Sequence, residues 1–149
     1  MELFRITSEK YSKSLTSSGA SNRWNKKGED VIYLSPSRSL ATLEMIVHRN
    51  FILPEIPYKV MVVLVPDSEG LIKTIKTSEL PIEWRRLEAY SQLQDIGSDW
   101  FLQMESLVLK VPSAVIPLED NYIINTKHKD YDQVKLIKVE DYFWDNRLM

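Results

Sequence analysis

The run from Tyr58 to Val65 constrains this chain more than any other segment. Both of its alternating faces are apolar, apart from Lys59. A strand with two apolar faces must be covered on both sides, so the run predicts a central strand inside a layered domain. Its apolar heart, Val60 to Val65, is far short of the roughly 20 residues that a membrane-spanning helix needs.

The neighbouring segments narrow the architecture. Short strands are predicted at 2–7, 31–35, 71–75, 107–111, 114–116, 122–125 and 134–139. Ser37 or Ser39 can cap a helix that runs to about Arg49. Pro81 predicts the start of a second helix reaching about Leu93, with Trp84 and Leu87 as its inner contacts. Asp95 to Asp99 reads as a turn leading into a short helix from Trp100 to about Glu105. Residues 8–30 are rich in Ser, Asn and Lys and read as a long loop, a length more often functional than idle in a compact domain. Helices and strands do not alternate regularly, which excludes a doubly wound fold. An α+β domain with a mostly antiparallel or split sheet fits this order.

The 149 residues suit a single domain, 1–149, large enough to bury a core without staples. Cysteine is absent, so disulfides and thiolate metal sites are excluded, and a cytoplasmic location is compatible. The N-terminus lacks the pattern of a signal peptide. A formal charge of −2 with interspersed signs argues against broad nucleic-acid binding. Four glycines leave no glycine-rich phosphate loop, and no serine elbow is present.

Several residues fit a scaffold poorly. On a helical wheel Leu40, Leu43 and Val47 define a core-facing arc, and Glu44 falls inside it. A carboxylate there is either a structural ion pair, the edge of a rotated helix, or part of a site. Arg23 precedes Trp24 in the polar loop and is either a solvated arginine or a rigid fork for diphosphate or carboxylate. Tyr33 shares a strand face with Val31 and Ser35 and reads there as an ordinary half-buried tyrosine. Ser113 follows Pro112 between apolar runs, marking a strand break or a bulge beside a pocket. His48 and His128 share no metal-ligand spacing, so no metal is expected.

Taken in order, the segments resemble the RES-domain toxins of RES–Xre toxin–antitoxin systems. The resemblance is carried by Phe4-Arg5, Arg23-Trp24-Asn25 with Gly28, and Val31 to Ser35. It continues through Ser39 to Glu44, Leu80-Pro81 with Trp84, Ile96-Gly97 with Trp100, and Val111 to Val115. It ends with Asn121, Asn125 with His128, and Phe143 to Leu148. Two positions depart from the family pattern. Asn22 stands where a glycine often precedes the Arg-Trp pair, and Asn125-Thr126 replaces Asn-Pro.

The resemblance implies an ADP-ribosyltransferase-like split mixed sheet, with flanking helices around an NAD cleft. It implies cleavage of the nicotinamide–ribose bond of NAD, with NAD as substrate. The family's functional arginine, tyrosine, glutamate and serine correspond to Arg23, Tyr33, Glu44 and Ser113. Glu44 would stabilise the ribosyl cation, Arg23 would bind the diphosphate, and Tyr33 would pack on the nicotinamide or its ribose. Ser113 would bond the nicotinamide amide or the ribose, and Arg5 would be a second cation. The implied partner is an Xre-type helix-turn-helix antitoxin; a homodimer is compatible, and neither membrane nor direct nucleic-acid binding is expected. The competing readings are ADP-ribosyl transfer to a protein or nucleic acid, a ribonuclease using His48, His128 and Arg23, and a non-catalytic nucleotide-binding module.

Overall fold

Two small sheets stacked face to face organise the protein. The computed structural model describes residues 1–48 and 55–148. The first sheet is antiparallel, with β3 (Tyr58–Leu64) between β1 (Glu2–Ser8) and β7 (Lys135–Asp141). The second runs in the order β2 (Val31–Leu34), β6 (Asp120–Asn125), β5 (Val108–Pro112), β4 (Ile72–Thr74). Only the β4–β5 pair is parallel among the described strands. The α+β class and the divided, mixed strand arrangement expected from the sequence are therefore present.

The alternation of side chains along each strand builds three cores. Met61 and Val63 of β3 face Ile32, Leu34, Val108 and Ile124 of the second sheet in the central layer. Val60 and Val62 point the other way, with Phe4 and Ile6, onto helix α1 (Arg38–His48) through Ala41 and Met45. The outer face of the second sheet, with Val31, Leu109, Val111 and Ile123, is covered by helix α2 (Tyr90–Gln103) through Leu93, Trp100 and Phe101. The run that reads as a central strand is thus central, and both its faces are covered.

A backbone stitch also joins the sheets. Phe4 and Ser35 exchange backbone hydrogen bonds of 2.8 and 2.9 Å, joining β1 to the residue after β2. Beside this stitch α1 and the loop before β2 lean apart, and a cleft opens between them.

Four local expectations are corrected. Pro81 does not open a helix: residues 81–86 form successive turns, Leu87–Ala89 is a single 3-10 turn, and α2 begins at Tyr90. Trp84 is buried as expected, but Leu87 is 75% exposed. Asp95 to Asp99 is not a turn but the middle of α2. Residues 114–116 are not a strand, because Ser113 Oγ caps a turn there by accepting the backbone N–H groups of Val115 and Ile116. Finally, α1 is rotated from the expected arc. Leu40, Ala41 and Met45 face the core, whereas Leu43 is 36% and Val47 59% exposed. Thr42 is half-buried beneath the Tyr142 hydroxyl, and Arg49 lies outside the described residues. Ser37 is the residue that caps α1, accepting the N–H of Leu40 at 3.0 Å.

Candidate active site

The rotation of α1 is what turns Glu44 toward the cleft. The cleft is open to solvent and lined by both apolar and polar side chains. Glu44 and His48 come to it from α1, Asn121 from β6, Tyr33 from β2, Arg23 from the loop before β2 and Arg5 from β1.

Glu44 is held by three donors from three parts of the chain. Ser113 Oγ and Asn121 Nδ2 each donate to Oε1 at 2.7 Å, and His48 Nε2 lies 2.9 Å from Oε2. Its side chain is only 16% exposed. Burial raises the carboxyl pKa, but the hydrogen bonds from His48, Ser113 and Asn121 outweigh it and hold the group below its ordinary value. The result is a fixed carboxylate, ionised at neutral pH, at the wall of a partly desolvated cleft. Asn121 is itself oriented, because its Oδ1 accepts from Ser35 Oγ at 2.9 Å. A carboxylate only accepts, so the amide must present Nδ2 to Glu44.

Ser113 has a different task from the substrate contact expected of it. Its proton goes to Glu44, and its oxygen accepts the two N–H groups of Val115 and Ile116. The hydroxyl is saturated and buried, so Ser113 positions the carboxylate. Asn121 does the same, and the only sequence signal for it is its place in the ordered motif set.

The opposite wall is built by docking a loop on α2. Asn22 and Asn25 exchange backbone bonds across a tight turn that carries Arg23 and Trp24 at its tip. Trp24 is buried against α2, and its carbonyl lies where Gly97 has no side chain; a Cβ there would come within 1.7 Å of that oxygen. Gln94 Nε2 donates to the Asn22 carbonyl at 2.9 Å, and Ser98 Oγ donates to the buried Glu29, which also accepts the Lys26 N–H. The polar stretch that reads as a turn is therefore the face of a helix that receives a loop.

Tyr33 ties this loop to β2. Its hydroxyl donates to Asn25 Oδ1 at 2.6 Å and accepts the Trp24 N–H at 3.2 Å. Burial pushes the phenol pKa well above its ordinary value, so it stays neutral and leaves only its ring to the cleft. Arg23 Nη1 donates to the carbonyls of Trp84 and Arg85 at 3.2 and 3.1 Å, and its guanidinium carbon lies 4.6 Å from the Tyr90 ring centroid. Those carbonyls are available because residues 81–86 are not helical. Nε of Arg23 is buried without a hydrogen-bond partner, and the contacts of the guanidinium among the described residues are to carbonyls and a ring, not to a carboxylate. A held, unneutralised arginine on a cleft wall suits an anionic ligand. Arg5 Nη1 donates to the Thr16 carbonyl at 3.1 Å.

His128 lies elsewhere. It is buried in the turn after β6, where Nδ1 accepts the Asp130 N–H. His48 and His128 therefore do not share the cleft. Among the described residues no group of three or more His, Asp or Glu gathers to hold a metal ion, and no helix is long and apolar enough to cross a membrane.

The model of the RES domain matches residues 2–145. This chain belongs to the RES family. It is 36% identical to Toxin Res of Yersinia enterocolitica, with 88% of each chain covered. It is 34% identical to Toxin Res of Photorhabdus laumondii, covering 100% of this chain and 97% of that one. It is 32% identical to the Prs ADP-ribosylating toxin of a Sphingobium species, over 85% of this chain and 80% of that one. In fold it is similar to a chain of the Mycobacterium tuberculosis MbcT–MbcA toxin–antitoxin complex, with a TM-score of 0.73 at 18% identity, over 95% of this chain and 83% of that one.

This RES domain absorbs its two departures from the family pattern locally. The left-handed non-glycine position among the described residues is Met104, so Asn22 needs no glycine backbone, and its Oδ1 accepts the Arg23 N–H at 2.8 Å. At Thr126 the N–H and hydroxyl both donate to the Asp30 carbonyl, the first of which a proline could not do. The turn is tied by hydrogen bonds in place of ring stiffness.

Proposed function

We propose that this protein is the toxin of a toxin–antitoxin pair and an enzyme that cleaves the nicotinamide–ribose bond of NAD. One observation carries the reading: a half-buried, triply hydrogen-bonded carboxylate faces the same cleft as an arginine that no carboxylate neutralises among the described residues. Breaking that bond builds positive charge on the ribose. A fixed carboxylate beside the ribose stabilises that charge, and a low-dielectric wall strengthens the effect. Glu44 takes this role. Arg23 holds the diphosphate, Arg5 adds positive charge near the same ligand, and the Tyr33 ring packs on the nicotinamide end.

The names of the relatives support a toxin, and the likeness to a chain of a toxin–antitoxin complex supports an antitoxin partner. We assign that partner to the Xre-type helix-turn-helix class, and the site of action to the cytoplasm. The second reading, ADP-ribosyl transfer to a macromolecule, is favoured by the name of the Sphingobium relative and uses the same first step. Incubation of purified protein with NAD labelled in the adenylate half tests both. Nicotinamide release with the label left in small molecules supports NAD degradation, and label retained on a macromolecule supports transfer. NAD binding with no nicotinamide release would sink both.

A further inference from the structure

The hydrogen bonds of Glu44 are divided unequally between its two oxygens. A carboxylate offers about four lone-pair positions, two on each oxygen. Oε1 accepts two donors, Ser113 Oγ and Asn121 Nδ2, and is full. Among the described residues Oε2 meets only His48 Nε2. Any substrate group that reaches Glu44 must therefore use Oε2, beside the imidazole. We propose that His48 is the positioning residue for that open oxygen, and that protonation of its ring withdraws Glu44 from the reaction. The proposal rests on the NAD-cleaving reading of the cleft.

The geometry sets the tautomer. A 2.9 Å contact to an ionised carboxylate needs a proton on Nε2, which leaves Nδ1 to take a second one. Nδ1 has no hydrogen-bond partner among the described residues, and the side chain is 35% exposed, so solvent can deliver that proton. As a neutral ring, His48 donates one bond from one turn further along α1 and keeps Oε2 in place without cancelling its charge. As an imidazolium, it does cancel it.

The groups around His48 sharpen the effect. From its own helix there is Glu44. Arg23 comes from the loop, Arg5 from β1, and Glu83, Arg85 and Arg86 from the segment before α2, all lining the cleft or the neighbouring groove, both of which His48 borders. Glu83 is already bridged to Arg86 at 2.8 Å. A second proton on His48 therefore adds to a cationic surround, next to the place where a ribosyl cation must form. Glu44 is held below its ordinary carboxyl range, so it does not itself lose charge where imidazoles titrate.

The test follows nicotinamide release by the full chain, its His48→Gln and its His48→Ala variants, across the range in which imidazoles titrate. Gln can donate to Oε2 but does not titrate. The expected result is a kcat that falls about tenfold per pH unit on the acid side for the parent. His48→Gln should lack this limb and keep its rate at neutral pH within about threefold, and His48→Ala should lose about tenfold there with little change in KM. An acid limb unchanged in His48→Gln overturns the proposal. So does a His48→Gln variant as inactive as Glu44→Gln at every pH, because the ring would then do chemistry itself. A substrate-free measurement separates this from failure of the NAD reading. In an NMR titration the Glu44 carboxyl carbon should follow the same transition as the His48 ring. Independent transitions overturn the pairing even if no nicotinamide is ever released.

Discussion

The two walls of the cleft fix their charges by opposite means. Glu44 is held by side chains: a serine, an asparagine and a histidine from three elements converge on one carboxylate. Arg23 is held by backbone: two carbonyls, a tight turn, and a loop seated on a helix that lacks one methyl group. On the proposed function, the carboxylate wall would set where charge is stabilised, to within a hydrogen bond. On the same reading, the arginine wall would set where a ligand is gripped, through packing spread over many residues. Damage to the first should therefore appear in kcat, and damage to the second in stability and KM.

The largest effect should come from Glu44→Gln, which keeps the shape and removes the charge. It should lower kcat for nicotinamide release by about 10²–10³-fold with KM little changed, as loss of a preorganised electrostatic group does. A rate within a few-fold of the parent would remove Glu44 from the chemistry. Next is Gly97→Ala. Its Cβ would meet the Trp24 carbonyl at 1.7 Å, and backbone cannot swing aside as a flexible side chain can. A destabilisation of about 3 kcal/mol is expected in denaturant unfolding, at the upper end of ordinary overpacking. The loop should lift from α2, and KM for NAD should rise with it. A variant of parental stability and KM would show that the loop is not seated there.

Ser113→Ala is smaller. It strips one donor from Glu44 and two N–H groups of their acceptor, at a cost of about 1–2 kcal/mol. It also alters acid sensitivity. The Glu44 pKa is lower folded than its reference value of 4.5, so its stabilising contribution is full above that value and is lost as the pH falls through the folded one. Without the serine bond the folded value rises, so the loss moves to higher pH, as melts across an acid series would read. Smallest is Asn22→Gly. No strained backbone is relieved, and the bond to the Arg23 N–H disappears, so the family-like glycine should destabilise this chain by about 0.5–1 kcal/mol. A gain in stability would show that the departure at this position is a burden.

The contrast between the walls also explains what the sequence could reveal. Period-two patterning marks β1, β2, β3, β5 and β6, because their two faces enter different cores. The rotation of α1 escapes it. Leu43 and Val47 are apolar yet exposed, and the small residue Ala41 takes the inner position that a helical wheel gives to larger ones. Gly97 reads as a turn residue, since glycine usually weakens a helix; here the missing side chain is what the neighbouring backbone requires. Arg23, Tyr33, Glu44, Arg5 and Ser113 stand out in the sequence, and all but Ser113 line the cleft, with Ser113 directly behind Glu44. What no local pattern could carry is the division of labour among them. Tyr33 and Ser113 have hydroxyls already spent on the protein, and Asn121 and Glu29 act through partners 77 and 69 residues away in the chain.

The stitch between Phe4 and Ser35 has a mechanical consequence. Ser35 joins the two sheets through its backbone and steadies Asn121 through its hydroxyl, and Asn121 in turn holds Glu44. The seam of the molecule and the aim of its carboxylate thus form one linkage. A wedge driven into the cleft that spreads the sheets would tug on Ser35 and slacken the grip on Oε1. Such an intruder could disarm the site without touching the carboxylate at all.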